Sequence, residues 1–383
     1  MGERIVLVSR EINGISIDVE IDEGDGVYFE EEVLDQLHNY DIESIKNYIY
    51  AQGEGYAPYS VMWELTNRCN LKCRFCYINC NGIEHQPYLT LDECRSFIDD
   101  LVDSGMLFCT LTGGECFLHP HFTEIYTYLK QKGVLVTLFT NATLIKEEHF
   151  DLFSCLPPYK IEISIYGASE KGFSEVTASA GELYLRVLSN IKKLKEMGIQ
   201  TVCKTPLNIL TEDETPLIRD WCKANGIPFY NSPELLSSYA GENMDKYLVS
   251  PDVQRAYYVQ HLKDALELSK LEFDYKKKFD CAGGRTSMFI AHNRKVYPCS
   301  AAFGINELSA DIFPEGMKAA VSELRRIINK KSNQKLGSCV GCIYCDVCDH
   351  CIVDEYTEKK DPRTLCSTFR SEMDELLRLK NPQ

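Results

Sequence analysis

The chain has 383 residues, a formal net charge of −16, 44% hydrophobic residues and 26% charged residues. That balance reads as a water-soluble globular chain with one large domain and one or two small ones. It lacks the concentrated basic surface that nucleic-acid binding requires, and no apolar run approaches the ~18 residues of a membrane span.

The N-terminus, from Met1 to Arg10, has charges inside and after its apolar core, unlike a secretory signal, so a cytoplasmic location is expected. The chain holds 18 cysteines, and outside secreted proteins such a count points to metal ligation rather than disulfides. Cys94, Cys109, Cys155, Cys203 and Cys222 fall in helix- or strand-like contexts and are expected as core residues. The others, Cys116 apart, gather near residue 70 and between 281 and 366.

Residues 1–56 open with two strand-like runs, Arg4 to Val8 and Ile15 to Val19, joined through Asn13-Gly14, a hairpin turn pair. Helix-like pieces follow around Glu30–His38 and Ile42–Tyr50. This small α+β module reads either as a reduced peptide-recognition winged helix or as a cap on the next domain.

The next run, Ser60 to Leu65, is apolar and strand-like, and Cys69, Cys73 and Cys76 follow it at spacing C-x3-C-x2-C. Thiolates are the ligands of iron–sulfur cubes, and this spacing matches neither ferredoxin pattern. It supplies three ligands where a closed structural site wants four, which leaves one iron open. A zinc knuckle, or cysteines that are merely buried, is the structural alternative.

Residues 57–232 alternate strand and helix patterns, which implies βα units on a parallel sheet. Strands are expected at Val61–Leu65, Leu107–Leu111, Val134–Phe139, Ile161–Ile165, Thr201–Lys204 and Pro228–Tyr230. Helices are expected at Leu91–Leu101, Phe122–Gln131, Leu183–Met197 and Pro216–Asn225, with stops at Gly105, Gly133, Gly198 and Gly226. Six units fall short of a closed eight-fold barrel, and functional groups belong at the strand C-termini. There stand Gly113-Gly114-Glu115, Asn141, Ser164 and Lys204. Cys80 and Cys116 lie on the same loops and read as packing cysteines or as hydrogen donors.

Residues 233–280 form a helical bridge (Pro251–Leu271) ending in the basic run Lys276 to Lys278, a solvated face. Beyond it lie Cys281, Cys299, then Cys339, Cys342, Cys345, Cys348 and Cys351 at intervals of three, and Cys366. So many thiols need a ligand, iron–sulfur clusters or a zinc ribbon.

The C-x3-C-x2-C loop, with Phe75 before its third cysteine and Gly-Gly-Glu after the second strand, resembles the radical S-adenosylmethionine (SAM) enzymes. The C-terminal cysteine field resembles the SPASM extension of the peptide-modifying members, with Arg294 at that pattern's glycine position, Cys351 one residue early and Cys345 additional. The resemblance implies an α/β fold: a partial (β/α)6 radical SAM barrel over 57–232, with a SPASM-like domain over 281–371 and a tail over 372–383. It implies a [4Fe–4S] cluster on Cys69, Cys73 and Cys76, whose open iron chelates SAM and cleaves it to a 5′-deoxyadenosyl radical. Phe75, Gly113, Gly114, Glu115, Asn141, Ser164 and Lys204 become the expected SAM contacts. Two auxiliary clusters are implied: an inner one on Cys281, Cys299 and Cys351, open or completed by Cys345, and an outer one on Cys339, Cys342, Cys348 and Cys366. The expected activity is oxidative cross-linking, thioether or carbon–carbon, of a ribosomally made precursor peptide, with a flavodoxin or ferredoxin as electron donor. A radical SAM dehydrogenase or epimerase acting on a protein side chain or small molecule is the second reading. A non-catalytic iron–sulfur carrier or zinc-binding protein is the third.

Overall fold

The computed structural model describes residues 5–12, 15–22, 58–80, 82–236, 238–268 and 281–332, with Cys351, Val353 and Tyr356. Strands β1 (Ile5–Ile12) and β2 (Ile15–Asp22) pair antiparallel in register, Ile12 opposite Ile15, as the Asn-Gly pair between them predicts. The helices expected over 30–50, the basic run at 276–278, and Cys339, Cys342, Cys345, Cys348 and Cys366 lie outside the described residues.

The main body is one open sheet in the order β11-β10-β9-β3-β4-β5-β6-β7-β8. Its parallel centre consists of β3 (Ser60–Glu64), β4 (Phe108–Thr112), β5 (Leu135–Thr140), β6 (Lys160–Ser164), β7 (Thr201–Pro206) and β8 (Phe229–Ser232). These are the six sequence-predicted strands, shifted by a residue or two. In β5 only Phe139 is less than fully buried, the pattern of a strand covered on both faces.

Helices α1 (Leu91–Asp103), α2 (Phe122–Gln131), α3 (Glu147–Cys155), α4 (Glu170–Thr177), α5 (Leu183–Glu196) and α6 (Thr215–Ala224) form the crossovers. α1 starts in a capping box, with the Glu93 amide donating to Thr90 Oγ1 at 3.2 Å and the Thr90 amide to Glu93 Oε2 at 2.7 Å. Gly105, Gly133, Gly198 and Gly226 all take positive φ after their helices, the left-handed stop for which glycine is suited. α3 and α4 have no counterpart in the sequence-based reading. At nine and eight residues they are shorter than the window in which helical periodicity declares itself.

Helix α7 (Pro251–Leu268) leads toward a segment that rejoins the same sheet. β9 (Ser287–Ile290) lies parallel to β3, and β10 (Lys295–Tyr297) and β11 (Ala310–Asp311) add antiparallel edge strands, followed by α8 (Met317–Ser332). Glu64 at the end of β3 fixes this junction: its carboxylate is fully buried, bonds the His292 ring and accepts from the His292 amide at 3.2 Å. Arg294, at the position where the SPASM pattern has glycine, holds a left-handed backbone at φ +64°. The turn demands the glycine conformation even though arginine occupies it. Of the expected core cysteines, Cys94, Cys109, Cys203 and Cys222 are buried, whereas Cys155 is exposed at the end of α3. Among the described residues no helix is long and apolar enough to cross a membrane.

Candidate active site

All six parallel strands end at one rim, and a cavity of about 530 Å³ opens there. Volumes of a few hundred cubic ångströms are typical of small-molecule and cofactor sites. The β3 loop contributes Cys69, Cys73, Phe75, Cys76 and Tyr77 to its wall. β4 contributes Thr112, Gly113 and Gly114, β5 Thr140 and Asn141, β6 Ser164 and Tyr166, and β7 Lys204 and Thr205. The far wall is formed by Tyr230 on β8 and by Glu234, Leu235 and Leu236 beyond it. Every sequence-predicted residue of this rim except Glu115 therefore faces one space.

The cysteine loop is stitched to its neighbours by backbone bonds. Leu65 donates to Thr112, Gly114 to the Thr66 carbonyl at 2.8 Å, and Glu115 to the Arg68 carbonyl at 2.8 Å. The two loops approach so closely that a Cβ on Gly113 would meet the Thr66 oxygen at 2.4 Å, and one on Gly114 the Arg68 oxygen at 2.2 Å. Gly113 also sits at φ +144°. Glycine is required there by contact as well as by conformation.

Lys72 and Arg74 donate to Thr177 and Val176 at the end of α4, anchoring the middle of the loop. The chain then reverses through Asn79, whose φ is +50°, and Tyr239 donates to the Tyr77 carbonyl at 2.7 Å. This reversal folds Cys80 back behind the loop, buried, with its Sγ 2.9 Å from where a Cβ on Gly114 would stand. Cys80 does not line the cavity; it sits behind the thiols that do.

The thiols differ in acidity. Burial, then the Cys76 and Cys69 charges, push Cys73 well above the usual range. Cys76 is lowered to about 7, chiefly by the hydrogen bond from Cys80, which outweighs its burial. A thiol near neutrality is a ready metal ligand.

Glu115 is completely buried beneath the cavity. Its carboxylate accepts from Thr140 Oγ1 at 2.8 Å, from the Asn141 amide at 2.8 Å and from the Phe117 amide at 3.4 Å. Burial raises its pKa, and these bonds offset only part of that rise. Asn141 reaches Cys69 Sγ at 3.8 Å and Asn70 at 3.1 Å, joining β5 to the cysteine loop. Cys116, buried beside Glu115, bonds the Phe139 carbonyl at 3.5 Å and belongs to the core. Lys204 pairs with Glu162, which also pairs with Lys160 at 2.5 Å, and its Nζ lies 4.7 Å from the Phe139 ring centre. Phe75 packs edge-on against Tyr166 at 5.6 Å and Tyr247 at 6.5 Å. Thr205 and the Tyr230–Leu236 wall carry no motif, so only the assembled rim of the open sheet shows that they belong to the site.

Away from this rim, Cys281 is exposed, and Cys299 and Cys351 are half-buried. Burial raises the Cys299 pKa, and the neighbouring Cys281 charge raises it further. Among the described residues no three His, Cys, Asp or Glu side chains converge on a single-ion site.

Three soft donors on one loop, a glycine pair that admits close backbone approach and a cation across the cavity fit a thiolate-bound cluster with an amino-acid-bearing cofactor beside it. Residues 63–220 match the radical SAM superfamily. The superfamily's cofactors are SAM and a [4Fe–4S] cluster. Over 256 residues the chain is 27% identical to the antilisterial bacteriocin subtilosin biosynthesis protein AlbA of Bacillus subtilis (strain 168), covering 63% of this chain and 55% of AlbA. Over 337 residues it is 25% identical to the AdoMet-dependent heme synthase of Methanosarcina barkeri, covering 80% of this chain and 94% of that protein. The fold matches Streptococcus suis SuiB, solved with S-adenosylmethionine, at a TM-score of 0.62 and 18% identity, covering 87% of this chain and 81% of SuiB.

Proposed function

We propose that the chain is a radical SAM peptide maturase that oxidatively cross-links a ribosomally made precursor peptide. The observation that carries this reading is the shared cavity. The thiols of Cys69, Cys73 and Cys76 open onto the same space as Gly113, Gly114, Asn141, Ser164 and Lys204, and the space continues to an outer wall of Tyr230, Leu235 and Leu236. Relatives and fold neighbours support the class of substrate: AlbA is named for bacteriocin biosynthesis, and SuiB has been solved bound to its precursor peptide SuiA.

In this reading Cys69, Cys73 and Cys76 hold the cluster. Gly113 and Gly114 let the backbone approach the methionine end of SAM, and Lys204 faces its carboxylate. Asn141 and Ser164 offer polar atoms to the ribose, and Phe75 with Tyr166 walls the adenine. Glu115 acts from below by fixing Thr140 and Asn141. SAM and the cluster held by Cys69, Cys73 and Cys76 would supply hydrogen-abstracting radical chemistry at this cavity, and an iron–sulfur centre would take up the electron that an oxidative cross-link releases.

Cys281, Cys299 and Cys351 are assigned to the inner auxiliary cluster, with Cys345 as the extra thiol. Cys339, Cys342, Cys348 and Cys366 are assigned to the outer one. The neighbouring positions of Cys281 and Cys299 support the first assignment. Residues 1–56 form the peptide-recognition module, 57–232 the barrel, 233–280 the bridge and 281–371 the SPASM-like domain. A flavodoxin or ferredoxin in the cytoplasm supplies the electron.

A second reading, oxidation of a small molecule, is favoured by the length over which the chain matches the heme synthase. Co-expression with a short cysteine-containing peptide encoded beside the gene, followed by mass spectrometry, separates the two. Loss of two hydrogens per cross-link supports the maturase. An unmodified peptide, together with SAM cleavage stimulated by a porphyrin, selects the second reading.

A further inference from the structure

Asn141 directly follows β5, is 7% exposed, and has its side chain held in one orientation. The amide oxygen accepts from the Thr143 amide at 2.9 Å and from Thr143 Oγ1 at 2.5 Å. A flipped amide would set its own N–H groups against the Thr143 amide, so the nitrogen faces the other way. There it donates to Asn70 Oδ1 at 3.1 Å and to Cys69 Sγ at 3.8 Å, a separation that the large sulfur atom admits. Asn70 closes the corner by donating to Thr143 Oγ1 at 2.7 Å. From beneath, Glu115 holds the Asn141 main chain through its amide. The Leu71 amide also donates to Cys69 Sγ, at 3.4 Å, but from within the cysteine loop itself. Asn141 brings to the same sulfur a donor from 72 positions away, and packing alone does not require an N–H aimed at a thiol.

We propose that Asn141 is a positioning residue that sets the potential of the iron–sulfur centre on Cys69, Cys73 and Cys76, through an N–H···S bond from its side-chain amide to the Cys69 thiolate. Hydrogen bonds to ligand sulfurs are one of the means by which a protein sets a cluster's potential. One-electron reduction adds negative charge that the ligand sulfurs share, and an N–H dipole aimed at one of them favours the reduced form. Thr143 and Glu115 fix that dipole in advance, so it has no reorienting to do when the charge arrives. No covalent bond is made or broken, and the amide keeps its protons. The inference rests on the proposed assignment of Cys69, Cys73 and Cys76 as cluster ligands, and it gives Asn141 a task toward the cluster besides its place beside SAM.

The test is a dithionite redox titration of the full-length, anaerobically purified holoprotein, followed by electron paramagnetic resonance. The signal to follow is the one that changes on addition of SAM, which separates this cluster from any other. Asn141→Leu, similar in size but without a donor, is expected to keep its iron and to lower the reduction equilibrium constant about tenfold, a shift of ~59 mV to more negative potential for one electron. The bond is also read without any variant. Wild-type protein labelled with heavy nitrogen only in its asparagine side-chain amides is expected to show a coupling to that nitrogen in the pulsed spectrum of the reduced cluster, and labelled Asn141→Leu to lack it. A midpoint unchanged in Asn141→Leu, or a labelled wild type without the coupling, overturns the proposal and makes Asn141 a packing residue. If Asn141→Leu loses this cluster's iron, the labelled wild type decides alone. A wild-type spectrum that never responds to SAM is distinct from all of these and refutes the proposed function itself.

Discussion

The backbone amide of Asn141 donates to Glu115 Oε2 at 2.8 Å, and this bond ties the end of β5 to the end of β4 directly beneath the cavity. Thr140 Oγ1 makes the matching bond to the other carboxylate oxygen. Glu115 thus positions Asn141, which in turn reaches Cys69 and Asn70. Glu115→Ala leaves these buried donors without an acceptor and is expected to cost roughly 2–3 kcal/mol, read by chemical denaturation. SAM binding, read by calorimetry, is expected to weaken in parallel.

The same residue gives a pH signature. Its pKa is raised above the usual 4.5 in the folded chain, chiefly by burial, so the folded state holds its proton more tightly than the unfolded one. Its contribution to stability is complete below 4.5 and is lost as pH rises through the folded-state value. The stability of the wild type relative to Glu115→Gln is therefore expected to fall as pH rises from about 4.5, measured by urea denaturation across pH. A difference that rises with pH contradicts the assigned environment.

Gly113 is placed where an added methyl group meets the Thr66 carbonyl at 2.4 Å and where φ is +144°. Gly113→Ala is expected to cost roughly 1–3 kcal/mol. Because Thr66 belongs to the cysteine loop, the variant is also expected to bind less iron than wild type, measured by metal analysis.

Lys204 faces the cavity with Glu162 behind it. Replacing it with Met removes the cation assigned to the SAM carboxylate. An interaction of roughly 1.5–3 kcal/mol corresponds to a rise of about 10- to 100-fold in the KM for SAM. The kcat for 5′-deoxyadenosine release is expected to change much less, as for loss of uniform binding.

Arg294 holds a glycine conformation at φ +64°, and its guanidinium lies 5.4 Å from the Phe313 ring centre. Arg294→Gly relieves the backbone and surrenders that contact. A gain in stability of about 0.5 kcal/mol is expected, read by denaturant midpoint.

The sequence exposes what is local. Cys69, Cys73 and Cys76 declare a cluster because ligands on one loop must keep a fixed spacing, and the six parallel strands declare themselves through buried runs punctuated by Gly105, Gly133, Gly198 and Gly226. Glu115 is legible as a rim residue, but which side of the strand end its carboxylate takes depends on Thr140 and Asn141, across the sheet. The pairing of Glu64 with His292 spans 228 positions and has no local signal. Cys80 looks like any packing cysteine until the turn at Asn79 carries it back behind the cysteine loop, against Gly114. The Tyr230–Leu236 wall follows a weak four-residue strand and becomes visible only once β8 is docked on β7.

The most direct measurement is the yield of 5′-deoxyadenosine when the anaerobically purified, reduced protein is given SAM, compared with a variant in which Cys69, Cys73 and Cys76 are all alanine. The account predicts steady release by the wild type and none by the variant. Release that survives loss of the three cysteines, or a wild-type protein that carries zinc and leaves SAM intact, contradicts it.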